Sequence, residues 1–275
     1  MALPIDRLAP VADPADPRVA AFVGLRDRAL ARHVPRGESG TFIAEGDIVV
    51  ERALRAGYRP RALLVDATRP GPLPPGVPPG TPVYAAAPPV LERITGLGVH
   101  RGMLGCFDRR PPRPPAEVIA AARRLVVLER VSNPTNLGVV LRSAAGLGMD
   151  AVLLDPTCSD PLYRRTSRVA MGEGYAFPWA WIPRLPGGLA DLRAAGFRLV
   201  ALTPDPGAVP VDAVATDLAP GDRVALLFGA EGPGLSPETL AAADVRAGIP
   251  MQGGVDSLNV GVAAGIAFWV LGRTP

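Results

Sequence analysis

Short apolar runs recur along this 275-residue chain, broken by glycine, proline and polar clusters, with helically spaced segments between many of them. From residue 125 onward the alternation is regular. Leu125–Leu128, Ala151–Leu154, Phe177–Trp181, Arg198–Leu202, Val224–Phe228 and Val245–Ile249 predict buried strands. Val139–Leu147, Gly187–Ala195 and Leu258–Leu271 predict helices, the last apolar on every face and so expected to be buried. Ser236-Pro237-Glu238 carries the signature of a helix start: a capping hydroxyl, proline at the first helical position and an acid in the first turn. Strands alternating with helices predict a parallel sheet covered on both faces.

The first part of the chain is patterned more loosely. Residues 1–20 are rich in Pro, Asp and Ala and predict a flexible lead-in. Residues 21–108 predict a small α/β domain. It has a basic-faced helix over Arg18–Ala31, strands at Thr41–Glu45, Arg61–Val65, Val83–Ala85 and Met103–Phe107, and helices at Asp47–Ala56 and Pro88–Ile94. Arg109–Pro115 (RRPPRPP) sustains neither helix nor sheet, so residues 109–120 read as a stiff basic linker before a second domain over 121–275. The length suits two domains with a sizeable core.

Composition narrows the function classes. With 48% hydrophobic and 20% charged residues the chain is that of a soluble globular protein. No basic start followed by an apolar core opens it, and no run suffices for a membrane span, so a cytoplasmic protein without membrane association is expected. Two cysteines and two histidines predict no disulfide framework and no metal site. All 29 basic residues are arginine. Residues 1–125 hold 18 of them against 12 acids and the remainder 11 against 14, an N-terminal excess that fits an anionic partner such as nucleic acid.

The candidate chemistry lies in three loops. Gly229-Ala-Glu231-Gly-Pro-Gly234 follows an apolar strand, where the backbone can turn sharply or lie against a ligand. Met251–Ser257 leads into Leu258 and Asn259. Asn133-Pro134-Thr135-Asn136 opens a helix that bears Arg142 among Val139, Val140, Leu141 and Ala144. An arginine there is costly unless paired or facing an anion, although a surface arginine on an amphipathic helix fits the same pattern. Loops at strand ends are where open α/β sheets bind ligands. A nicotinamide-nucleotide oxidoreductase is set aside, because no G-x-G-x-x-G follows the first strand of this domain.

Taken together, Asn133 to Arg142 (N-P-x-N-x-G-x-x-x-R), Leu226 to Ser236 (strand, then G-x-E-x-x-G-L-S) and Ile249-Pro250-Met251 with Ser257-Leu258-Asn259-Val260 resemble the SpoU/TrmH-type RNA 2′-O-ribose methyltransferases of the SPOUT superfamily. The resemblance covers residues from about 125 to the end; Phe42–Gly46 and Val99–Gly105 are similar, more weakly, to that family's substrate-binding domain, with Arg101 where glutamine is more usual. It implies a trefoil-knotted parallel-sheet domain, a homodimer through that domain and S-adenosylmethionine as methyl donor. It further implies a catalytic set of Asn136, Arg142, Glu231, Ser257 and Asn259, and cofactor contacts at Leu202, Gly229, Ile249, Met251 and Leu258. Glu45, His100, Arg101 and Arg165 are implied to meet RNA, ribosomal RNA being favoured. Transfer RNA and a non-catalytic RNA-binding protein of the same fold are the alternatives.

Overall fold

The computed structural model describes residues 8–25, 40–69, 71–97 and 102–272. Its first elements are strand β1 (Leu8–Pro10), a 3-10 turn at Pro17–Phe22, strand β2 (Thr41–Glu45) and helix α1 (Asp47–Arg55). Strands β3 (Pro60–Asp66) and β4 (Val83–Ala86), helix α2 (Pro88–Thr95) and strand β5 (Leu104–Asp108) follow. They form a five-stranded sheet in the order β1-β4-β3-β5-β2, with β5 antiparallel to both neighbours. From Leu8 onward, the stretch expected to be a loose lead-in is instead part of this layer. β1 pairs with β4, and Val11, Val19 and Phe22 are buried against Leu64, Leu91 and Ile94. Burial of those three side chains outweighs the local bias of their Pro- and Asp-rich neighbours. Of the expected helix over Arg18–Ala31, residues up to 22 form the 3-10 turn and residues 26–39 lie outside the described set.

Helix α3 (Pro115–Ala121) occupies the end of the expected linker, starting on a proline at its first position and burying Val118 and Ile119. Strand β6 (Arg124–Leu128), helix α4 (Pro134–Gly146) and strand β7 (Ala151–Leu154) come next, then helix α5 (Arg164–Val169) and strand β8 (Trp179–Trp181). The chain continues through helix α6 (Ala190–Ala194), strand β9 (Phe197–Leu202), strand β10 (Val209–Pro210) and helix α7 (Val211–Thr216), the last two inside a stretch whose polarity concealed them. Strand β11 (Arg223–Phe228), helix α8 (Pro237–Ala242), strand β12 (Val245–Gly248) and helix α9 (Val260–Leu271) complete it. All seven strands from β6 onward pair in parallel, in the order β10-β12-β9-β11-β6-β7-β8. β6 and β11 at the centre are buried along nearly their whole length, as strands covered on both faces must be.

The chain divides into two units, Met1–Pro111 with Leu162–Ala176 and Pro112–Pro161 with Phe177–Pro275. The first stretch of the first unit ends at Pro111, and Leu162–Ala176 groups with it. Side chains explain why. Tyr175 packs on Phe42 and Tyr58 with ring centroids 5.2 and 5.7 Å apart. Arg52 donates to the Met171 carbonyl at 2.6 Å and pairs with Glu173 at 2.7 Å.

Helix α9 corrects a second expectation. Its small residues bury one side against α4, so closely that a Cβ on Gly261 would lie 2.6 Å from Val139 Cγ1. Val262, Ile266 and Trp269 nevertheless face out, Trp269 at 55% exposure. They recur at helical spacing and make one apolar stripe.

Candidate active site

β9, β11 and β12 are neighbours in the parallel sheet, so their C-terminal ends converge. Leu202-Thr203-Pro204 leaves β9, the glycine-rich loop leaves β11, and Ile249 and Met251 leave β12. With Ser257, Leu258 and the first turn of α9 these segments line one open cleft. All five residues expected at a cofactor, Leu202, Gly229, Ile249, Met251 and Leu258, lie on its wall, as do Glu231 and Ser257.

The glycine-rich loop is tightly closed. Gly234 N–H donates to the Ala230 carbonyl at 3.0 Å, which folds the loop back over its own start. A Cβ on Gly229 would sit 2.0 Å from the Gly234 carbonyl carbon, so only glycine fits there. The closure leaves Glu231 at the exposed tip.

Glu231, Asn136 and Asn259 meet at the start of α9. Asn259 caps that helix, its Oδ1 accepting from the N–H groups of Gly261 (2.9 Å) and Val262 (3.4 Å). Its Nδ2 donates to Asn136 Oδ1 at 3.1 Å and to Glu231 Oε1. Asn136, in the first turn of α4, is only 5% exposed. A helix cap thus also ties three chain segments together. α4 starts where it does because Asn133 caps it, accepting from Thr135 N–H at 2.9 Å, with Pro134 at the first helical position.

Arg142 lies further along α4 and is not itself among the residues that line the cleft. Its side chain is exposed and makes no hydrogen bond or ion pair among the described residues. Among the described residues nothing neutralises it, which suits an external anion as well as solvent.

In the first unit, the Glu45 carboxylate is engaged by two guanidinium groups, Arg164 and Arg168, and Arg164 also donates to the Leu25 carbonyl at 3.2 Å. Burial holds the Arg164 pKa below its ordinary value. Arg165, next along α5, points to solvent. His100 and Arg101 lie outside the described residues. Cys106 and Cys158 are both buried, and burial raises the pKa of each thiol. Among the described residues no group of three or more His, Cys, Asp or Glu could hold a metal, and no helix is long and apolar enough to cross a membrane.

Sequence reasoning passed over Thr203 and Pro204 on the cleft wall, and Glu129 and Arg130 behind it. The first pair had a legible signal, since they directly follow a strand that ends at the same edge.

The fold and the cleft define a parallel α/β protein with an open cleft across converging strand ends. A model of the SpoU rRNA Methylase family matches residues 123–269. An uncharacterised tRNA/rRNA methyltransferase of Mycobacterium tuberculosis is 42% identical over 263 residues, spanning 94% of this chain and 90% of that protein. The 23S rRNA (guanosine(2553)-2′-O)-methyltransferase of Bacillus subtilis is 29% identical over 237 residues, 86% of this chain and 90% of its own. The AdoMet-bound structure of an rRNA methyltransferase from Sinorhizobium meliloti matches with a TM-score of 0.75 at 26% identity, covering 97% of this chain and 98% of that one. The chain belongs to the SpoU rRNA methylase family.

Proposed function

We propose that this protein transfers a methyl group from S-adenosylmethionine to a ribose 2′-hydroxyl of RNA, ribosomal RNA in preference to transfer RNA. The observation that carries the reading is the hydrogen-bonded trio of Asn136, Asn259 and Glu231 at the edge of a cleft lined by all five residues expected at the cofactor. The Bacillus relative, named for 2′-O-methylation of 23S rRNA, supports the same reaction and substrate.

The cleft suits the donor. Its wall is apolar at Leu202, Phe228, Ile249, Met251 and Leu258, as a purine requires, and polar at Thr203, Glu231 and Ser257. The backbone N–H and C=O groups of Met251 and Leu258 have no hydrogen-bond partner among the described residues, so they are free to read an adenine edge. When bound, S-adenosylmethionine supplies an electrophilic methyl group.

The chain's own residues supply placement and charge. Arg142 holds the target phosphate or the 2′-oxygen and offsets negative charge as the hydroxyl loses its proton. A guanidinium barely deprotonates in a protein, so Arg142 orients the proton acceptor rather than being it, and a substrate phosphate fills that role. Asn259, fixed by Asn136 and Glu231, holds the rim of the cleft rigid, and Ser257 positions the ribose or the methionine end of the donor. In the first unit Glu45 anchors α5 through Arg164 and Arg168, and Arg165 on the same helix contacts RNA together with His100 and Arg101.

The same reading includes a trefoil knot in the second unit and a homodimer through it. The exposed stripe of Val262, Ile266 and Trp269 supports the dimer, since an apolar helix face of this kind is stabilised by cover. Replacing Arg142 by Ala is the direct test. Turnover on RNA should vanish while S-adenosylmethionine affinity, measured by calorimetry, stays within about twofold. Loss of cofactor binding would remove Arg142 from its assigned role.

A further inference from the structure

Behind the cleft, a second layer of contacts fixes the glycine-rich loop. Glu129, the first residue after β6, is only 3% exposed, and its N–H donates to the Phe228 carbonyl at 2.9 Å. Its Oε2 accepts the N–H of Ser236, where the loop ends, at 2.9 Å. A carboxylate so far from water needs such partners. The Arg130 guanidinium adds a favourable charge, with Nε 3.9 Å from Glu129 Oε1.

Arg130 itself has φ +58°, a left-handed conformation that non-glycine residues rarely adopt. The Ser132 N–H closes this turn on the Arg130 carbonyl at 2.8 Å. Two consequences follow from this conformation. The backbone is sent directly into Asn133, the cap of the helix that carries Asn136. The guanidinium lies on the Gly234 carbonyl at 3.1 Å. Gly234 is the residue whose N–H closes the loop and whose backbone packs over Gly229. Glu129 and Arg130 therefore grip the loop at its closure and at its exit, while the same turn launches the helix on the other side of the trio.

We propose that Glu129 and Arg130 are positioning residues for methyl transfer, holding residues 229–236 so that Glu231 meets Asn259 and Gly229 stays on the cleft wall. The inference rests on the cleft being the S-adenosylmethionine site. Strain held at a site edge and maintained by contacts to a functional loop is the pattern expected of pre-organisation rather than of bulk stability.

Arg130→Gly separates the two. Glycine adopts φ +58° without strain, so the backbone turn survives while the guanidinium is removed. Glu129→Gln keeps one oxygen as an acceptor for Ser236, removes the charge and replaces the other oxygen by an amide donor. The parent chain and both variants are titrated with S-adenosylmethionine by calorimetry, unfolded in urea, and assayed for kcat and KM on RNA. For Arg130→Gly the relieved backbone strain offsets the lost guanidinium contacts, so the urea midpoint should stay close to that of the parent. Its Kd should rise and its kcat fall, each by about ten- to a hundredfold, the scale of a misplacement near 1 Å. Glu129→Gln should show smaller changes in the same direction. Parent-like Kd and kcat in Arg130→Gly, or losses that merely track a lower urea midpoint, would overturn the proposal while leaving the cleft assignment standing. A parent chain that binds no S-adenosylmethionine would instead overturn the cleft assignment.

Discussion

Asn259 does two jobs, and two substitutions pull them apart. Asn259→Ala removes the side-chain cap of α9, which accepts from Gly261 and Val262, and caps of this kind contribute about 1 kcal/mol. It also removes the donor to Asn136, whose amide oxygen is buried; an orphaned buried acceptor costs about 1–3 kcal/mol. The sum is about 2–4 kcal/mol, or a thermal midpoint lower by roughly 5–15 °C for a unit of this size. Asn259→Asp keeps an oxygen for the cap, and a negative charge there is favoured by the helix dipole. It also sets a second carboxylate against Glu231 and offers nothing to Asn136. Urea unfolding followed by circular dichroism, beside methyl transfer on RNA, reads the two effects separately. Stability should order parent, Asp, Ala, whereas activity should fall at least as far in Asp as in Ala. An Asp variant with parental activity would refute the claim that Asn259 matters as a donor to Asn136 and Glu231.

Four further outcomes follow from the same geometry. Gly229→Ala forces a Cβ to within 2.0 Å of the Gly234 backbone, so the loop must open; it should cost about 1–3 kcal/mol and abolish S-adenosylmethionine binding by calorimetry. Glu45→Ala strands the buried Arg164 guanidinium and should destabilise the first unit by about 3–5 kcal/mol in urea, whereas Arg168→Ala, at a side chain 58% exposed, should cost far less. Trp269→Glu places a charge in the exposed stripe of α9; sedimentation should give a dimer for the parent and a monomer for the variant. Cys106 and Cys158 should react with a thiol reagent at neutral pH only after unfolding, since both are buried with raised thiol pKa values.

The sequence made the second unit readable because buried parallel strands must be continuous apolar runs. Leu125–Leu128 and Val224–Phe228 carry that requirement without disguise. The candidate site residues were visible as polar outliers set against those strands, but the helix expected from Leu258 onward placed the cap Asn259 inside it. What stayed hidden depends on long-range contact. Val11 and Val19 look like isolated apolar residues in a Pro- and Asp-rich stretch until β1 finds β4. Tyr175 gives no local sign that its partners are Phe42 and Tyr58, so the excursion of Leu162–Ala176 into the first unit could not be read from spacing. The exposed side of α9 was concealed for the opposite reason. A helix apolar all round signals burial, and periodicity cannot tell burial in the core from a face left for another surface. Glu129 and Arg130 act through backbone geometry, and a positive φ at arginine leaves no trace in composition.

The most direct test of the central claim is methyl transfer from labelled S-adenosylmethionine to ribosomal and transfer RNA, each digested and mapped to the nucleotide. Label is expected on a ribose 2′-oxygen at one ribosomal site, and is expected to be lost in Arg142→Ala. Label on a base, or no label on either RNA while S-adenosylmethionine still binds, would contradict it.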